Sequence, residues 1–265
     1  AKALHAIADG TVGSIELAFR HAINAAKGQI DHAALEAALK ARDVAAVFRE
    51  LDISGTMAPS MRADLSRQLQ GVYLRASHAS TILLPPRIRA NFSVTPNPQV
   101  MRFVKTRVGE LVTEVGKATK QNIRVVMARA FREGRDLRTQ TSDLMQVVGL
   151  RSDQRRALEN RRLELASKGV DQGIVDAQVA EYAQKLLRDR ALMIARTEAM
   201  TAANAGNRGG WDMAREEGLF EFDPDLPLLY KVPEKIVKGE PVGEMYIVGP
   251  PLHSNCRCSE IMEFE

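Results

Sequence analysis

Apolar residues recur at helical spacing along most of the chain up to about residue 217. Thr11 is placed to cap a helix on which Val12, Ile15, Phe19, Ala22 and Ile23 form one stripe, with Gly28 beyond its end. Asp31 caps an Ala/Leu-rich helix running towards Arg42, and Asp43 caps a shorter one towards Leu51. Ser60 opens another, with Met61, Leu65, Leu69 and Val72 on one face. The stretch Leu83 to Pro98 holds Pro85, Pro86, Pro96 and Pro98, which excludes a helix and predicts a linker or extended arm.

From about Gln99 the helical period resumes. Phe103, Val104, Val108, Leu111 and Val115 make one stripe, and Ile123, Val126, Met127, Ala130 and Phe131 the next, until Gly134 stops the helix. The pattern predicts a short helix over Ser142 to Val148 and another capped by Ser152 that reaches Ser167. Gly169 ends that one, and a long stretch follows from about Ile174 to Glu217. At Gly218 the composition changes. Six prolines follow, at 224, 227, 233, 241, 250 and 251, among short β-rich pieces at Leu228 to Val232, Met245 to Val248 and Cys258 to Phe264. The expectation is a mainly α protein: a multi-helix body with a small C-terminal β-containing (α+β) lobe. Its parts are an N-terminal helical region (1–82), a Pro-rich linker or arm (83–98), a helical core (99–217) and the C-terminal lobe (218–265).

Composition narrows the class. With 45% hydrophobic and 26% charged residues in 265, the chain has enough apolar surface for a sizeable core, so wholesale disorder is not expected. No apolar run reaches membrane-spanning length, so no membrane partner is expected. Cys256 and Cys258 are the only cysteines. A bridge between them would be strained, which favours reduced thiols and assembly in a cytosol.

The net charge of +4 is unevenly spread. Asp212 to Glu265 carries 12 acidic and 5 basic residues, so the rest of the chain is strongly basic. Met101 to Arg138 alone holds 10 basic and 4 acidic residues, among them Lys117, Lys120, Arg124, Arg129, Arg132, Arg135 and Arg138. Lys117, Lys120 and Arg124 stand at i, i+3 and i+7 on one helical face. Such a stripe can follow the phosphates of duplex DNA without reading sequence, or meet an acidic protein partner; the alternative is a solvated helix face. Aromatic residues make up 5% of the chain, which argues against base stacking on single strands.

Two motifs remain. The first is Ile194-Ala195-Arg196-Thr197-Glu198, followed by Asn204, Arg208 and Trp211. On a helix, Thr197, Thr201, Asn204 and Arg208 share a stripe roughly 60° wide. Ala195, Ala199, Ala202, Gly206 and Gly209 lie opposite, where small side chains let another helix approach closely. Glu198 beside the stripe reads as an ion-pair partner of Arg196 or Arg208 rather than a catalytic acid. The second motif is Pro250-Pro251-Leu252-His253-Ser254-Asn255-Cys256-Arg257-Cys258. His253, Cys256 and Cys258 are three candidate metal ligands. A structural zinc would need a fourth from a distant histidine, a carboxylate or water. In the metal-free arrangement the cysteines act as small buried apolar residues and no cofactor is needed.

Together these motifs resemble the phage head morphogenesis family, the Mu F-like minor head proteins, over residues from about Asn97 to Phe264. The family's Cys-x-x-Cys pair ahead of the final His and Cys has no counterpart here, since Phe220 to Gly249 contains no cysteine. The resemblance implies a structural virion protein of a tailed phage, present in a few copies and assembled in the host cytoplasm. It implies a place in the capsid interior near the portal vertex, with the portal and other head proteins as partners and a role in head assembly or DNA delivery. The rival reading, a metal-dependent hydrolase or nuclease centred on His253, Cys256 and Cys258, finds no carboxylate cluster for magnesium and no general base in the sequence.

Overall fold

The computed structural model describes residues 2–51, 53–81 and 98–216, and four short strands between positions 230 and 247. Among the described residues the chain is mainly helical: α1 (Lys2–Gly28), α2 (His32–Lys40), α3 (Val44–Glu50), α4 (Ile53–Thr81), α5 (Pro98–Glu133), α6 (Leu137–Val147), α7 (Ser152–Ser167) and α8 (Gln172–Glu216). None of these helices is long and apolar enough to cross a membrane. Two short antiparallel ladders follow. β1 (Tyr230–Val232) pairs with β4 (Met245–Ile247), and β2 (Lys235–Val237) with β3 (Glu240–Val242). The sequence-predicted arm at 83–97 and the strand at Cys258 to Phe264 lie outside the described residues.

Several boundaries follow local chemistry. The carboxylate of Asp31 accepts from the backbone of Ala33 and Ala34, and that of Asp43 from Ala46, so both predicted caps form. Gly134 and Gly169 turn the chain out of α5 and α7 with φ of +62° and +70°. Other boundaries correct the sequence reading. Thr11 is no cap: α1 begins at Lys2, and Thr11 sits within it, its hydroxyl donating to the Ile7 carbonyl. Leu4, Ala8, Thr11 and Ile15 are all buried, while Gly10 and Gly13 face outward. Burial of a continuous stripe outweighs the roughly 1 kcal/mol that each glycine costs a helix. In the same way α4 starts at Ile53 rather than Ser60. It runs through Pro59 because Met57, Ala58 and Met61 extend one buried stripe. α6 starts at Leu137, five residues ahead of Ser142, because Asp136 caps it through the Thr139 amide. Ser152 is the first residue of α7, and the cap position before it is Arg151.

The described residues group into two compact units that do not follow chain order. The first combines residues 2–16, 65–81, 98–106 and 192–216. Here α4 and α8 meet at glycines. A Cβ on Gly206 would fall 2.8 Å from the Tyr73 Cα, and one on Gly210 2.8 Å from the Ser77 carbonyl oxygen. The Ser77 hydroxyl donates to the Gly206 carbonyl at 2.6 Å. The small-residue face of the motif helix therefore admits a neighbouring helix, which is α4. Tyr73 also packs on Phe103 of α5, ring centroids 5.5 Å apart, and Arg75 donates to Thr11 of α1 at 2.7 Å. Burial, reinforced by the Asp212 carboxylate, pushes the Tyr73 phenol above its usual pKa.

The second unit combines residues 17–51, 53–64 and 107–191. Its hub is the turn between α6 and α7. Gly149 adopts φ +80°, and Ile23 and Leu187 crowd the place where a Cβ would sit. Side chains from two helices close its backbone hydrogen bonds. Thr119 Oγ1 accepts from the Gly149 amide, Arg190 donates to the Gly149 carbonyl at 2.7 Å, and Asn122 donates to the Leu150 carbonyl at 2.7 Å. These three side chains occupy stripe positions on α5 and α8 and are fully buried. Burial lowers the Arg190 guanidinium to a pKa of about 10, against the opposing pull of the Glu114 carboxylate.

One consequence is measurable. Gly206→Ala places a methyl group against the α4 backbone, which cannot move aside as a flexible side chain can. It should destabilise the protein by about 1–3 kcal/mol through overpacking, read as a lower urea midpoint. An unchanged midpoint would show that α4 and α8 are not in close contact.

Candidate nucleic-acid interface

Among the described helices, α5 carries the longest run of cations uninterrupted by a carboxylate. From Val115 to Arg132 it has five cations and no carboxylate, over about 27 Å at the helical rise. Val115, Thr119, Asn122, Ile123, Val126 and Ala130 turn into the unit, so the outer face is left to the charged positions. Lys117, Lys120, Arg124 and Arg132 are all exposed there, and Arg138 is exposed at the start of α6. The Arg124 guanidinium lies over the ring of Phe48 of α3, 5.3 Å from its centroid. That contact restricts the side chain while leaving its charge at the surface. Arg132 donates back to the Ala128 carbonyl at 3.2 Å.

The other two cations of the predicted stripe do different work. Arg129 reaches Glu159 at 2.7 Å and Asp143 at 3.5 Å. Arg135 meets Asp143 at 2.7 Å and Glu133 at 2.6 Å. Arg162 of α7 joins them, at 2.6 Å from the other oxygen of Asp143 and 2.7 Å from Asp176 of α8, and Arg155 pairs with Glu159 at 3.0 Å. Asp143 is 4% exposed and is shared by three guanidinium groups. Beside this network is a small cavity bordered by Arg129, Gln146 and Arg155. Arg129 Nε, Arg155 Nε and Gln146 Oε1 are buried there without a protein partner. Arg129 and Arg135 are therefore committed to holding helices together, and the exposed basic row is Lys117, Lys120, Arg124, Arg132 and Arg138.

Sequence reasoning did not single out Asp143, Arg162 or Arg190, although a signal was present. Arg162 falls between Leu158 and Leu165 on the buried stripe of α7, and Arg190 follows Leu186 at i+4 on that of α8. A charge at a stripe position implies a buried partner. Arg190 also borders an open cavity of about 300 Å³ with Glu114, Gln121, Arg151 and Asp153. Two cations face two carboxylates there, so the cavity has no bias towards an anion.

The motif helix lies within α8. Arg196 and Arg208 are exposed, whereas Glu198 and Asn204 are 3% and 1% exposed. Thr197 and Thr201 return their hydroxyl protons to the Met193 and Thr197 carbonyls. Glu198 and Asn204 thus lie in the interior, and the two threonines bond back to the helix's own backbone. The candidate metal ligands His253, Cys256 and Cys258 lie outside the described residues. Among those described, no group of three His, Cys, Asp or Glu side chains is arranged to hold a metal ion. No family model, curated protein or solved structure matches this chain.

The ion network predicts a strong asymmetry between two kinds of substitution. Asp143→Ala removes the one carboxylate that three guanidinium groups share, leaving them only the more exposed Glu159, Glu133 and Asp176, and should cost about 2–4 kcal/mol in denaturant unfolding. Lys120→Ala, on the exposed face, should stay within about 0.5 kcal/mol. Equal effects would remove Asp143 from its role as the anchor.

Proposed function

We propose that this chain is a structural minor head protein of a tailed phage, held near the portal inside the capsid, with non-specific contact to packaged duplex DNA. The observation that carries this reading is the pair of motifs in one chain: the Ile194–Glu198 segment with Asn204 and Arg208, and the Pro250–Cys258 ending. Two features support it. The motif helix devotes Glu198, Asn204 and Gly206 to the interior, as expected of a framework element rather than a catalytic one. The exposed row on α5 offers cations at a spacing suited to backbone phosphates.

In this reading the acidic C-terminal lobe and the basic helical body meet different partners. The acidic segment from Gly218 onward, which carries the Pro250–Cys258 motif, joins the portal or neighbouring head proteins. The body faces DNA, and no cofactor is required. Packaged DNA is a dense array of phosphates, so a protein lodged beside it gains from cations that need no particular base sequence.

Affinity purification from phage-producing cells tests the assignment. A ring-forming portal should co-purify with the full-length chain, and truncation at Gly218 should abolish incorporation into heads. Recovery without any portal or head protein would overturn it. DNA contact is tested separately by fluorescence anisotropy on a short duplex. Retention should be salt-sensitive and indifferent to sequence, and combined Lys117→Glu, Lys120→Glu and Arg124→Glu changes should weaken it and flatten the salt slope by about three. Absence of duplex binding by the unaltered protein at low salt would assign the basic face to a protein partner.

A further inference from the structure

Arg42 stands out on backbone grounds. α2 ends in two closing hydrogen bonds, from the Asp43 amide to the Ala38 carbonyl at 3.0 Å and from the Arg42 amide to the Leu39 carbonyl at 3.1 Å. This helix-ending motif places the residue after the cap in the left-handed region, where glycine is the usual occupant. Arg42 takes that position with φ +54°. The other positive-φ residues among those described, Gly134, Gly149 and Gly169, are all glycines. A side chain is therefore kept where its absence would relieve the backbone.

That side chain reaches α5. The Arg42 guanidinium lies over the ring of Phe131, 5.9 Å from its centroid. Phe131 stands at i+7 from Arg124 and i+14 from Lys117, so the three positions share one face of α5 to within about 40°. Two turns beyond Arg124 the row has an aromatic residue instead of a cation, and Arg42 supplies the charge above it. The arrangement is reciprocal, since Arg124 of α5 lies over Phe48 of α3. The neighbouring acid, Asp43, is committed to capping α3 through the Ala46 amide at 2.9 Å. Glu133, near the end of α5, is paired with Arg135.

We propose that Arg42 is a phosphate-contacting residue of the same duplex-binding face, and that this face is composite, formed by α5 and the turn between α2 and α3. The inference rests on the DNA-contact reading given above. It extends that reading to a residue 59 positions before the basic stretch begins, which charge clustering along the sequence does not reach. The partner is double-stranded DNA, because a row of cations whose neighbouring rings, Phe48 and Phe131, are already covered by guanidinium groups suits a line of phosphates rather than stacked bases.

The test compares Arg42→Gly and Arg42→Lys with the unaltered full chain by duplex anisotropy across a salt series, with a thermal melt of each. Glycine suits the left-handed backbone, so Arg42→Gly should melt at the same temperature or higher. Its DNA affinity should nevertheless fall roughly eightfold at about 0.1 M salt, with the salt slope reduced by about one. Arg42→Lys should keep the slope, since it keeps the charge. Superimposed isotherms for Arg42→Gly and the unaltered protein, with the triple α5 variant still weakened, would overturn the inference and leave the DNA reading standing. Failure of the unaltered protein to bind duplex would overturn both. If Arg42→Gly melts lower, the isotherms are compared where both proteins are folded, and the same outcomes decide.

Discussion

A single buried carboxylate organises the second unit. Asp143, on α6, takes three arginines, one from α5, one from the turn after it and one from α7, and Arg162 carries the link on to Asp176 of α8. Such a network is not a large net source of stability, because desolvating the ions offsets most of their attraction. Its effect is selective. A register that left any of these charges buried and unpaired would be costly, so the network admits few alternative packings of the four elements. It also decides which cations remain at the surface. Arg129 and Arg135 are half-buried in ion pairs, while Lys117, Lys120 and Arg124 are exposed.

The first unit is organised by close contact rather than by charge. Gly206, Gly209 and Gly210 bring the α8 backbone against Tyr73, Ser77 and Ser80 of α4. At that separation the Ser77 hydroxyl reaches a helix carbonyl directly. Larger residues would hold the helices farther apart and break that hydrogen bond. The glycines weaken α8 as an isolated helix, and tertiary packing returns the loss. Both units therefore draw on residues that a propensity scale would call unfavourable for helices: glycines in one, buried polar and charged groups in the other.

These two constraints also set which charges are left at the surface. With Glu198, Asn204, Arg162 and Arg190 in the interior and Arg129 and Arg135 half-buried in ion pairs, the remaining charge is one-sided from Val115 to Arg132 of α5 and balanced around the cavity by Arg190. Among the described residues, neither arrangement places an acid and a base around a common point. The cation–π contacts at Phe48 and Phe131 reduce the freedom of two exposed guanidinium groups.

The helical class, the caps at Asp31 and Asp43, the stops at Gly134 and Gly169 and the small-residue face of α8 were legible in the amino-acid sequence. Each depends on contacts within a few residues or on a period of 3.6. The start of α1 at Lys2 and the run of α4 through Pro59 were not legible. There local preference is overruled by burial of a stripe against helices distant in sequence. The same holds for charge. The sequence by itself determined that α5 is basic and that its lysines and arginines recur on a helical face. Only the tertiary structure decided that Arg129 and Arg135 face carboxylates while Arg42 lies over the ring of Phe131. A side chain's electrostatic role depends on which opposite charge lies within a few ångströms, and that is settled by how the helices pack.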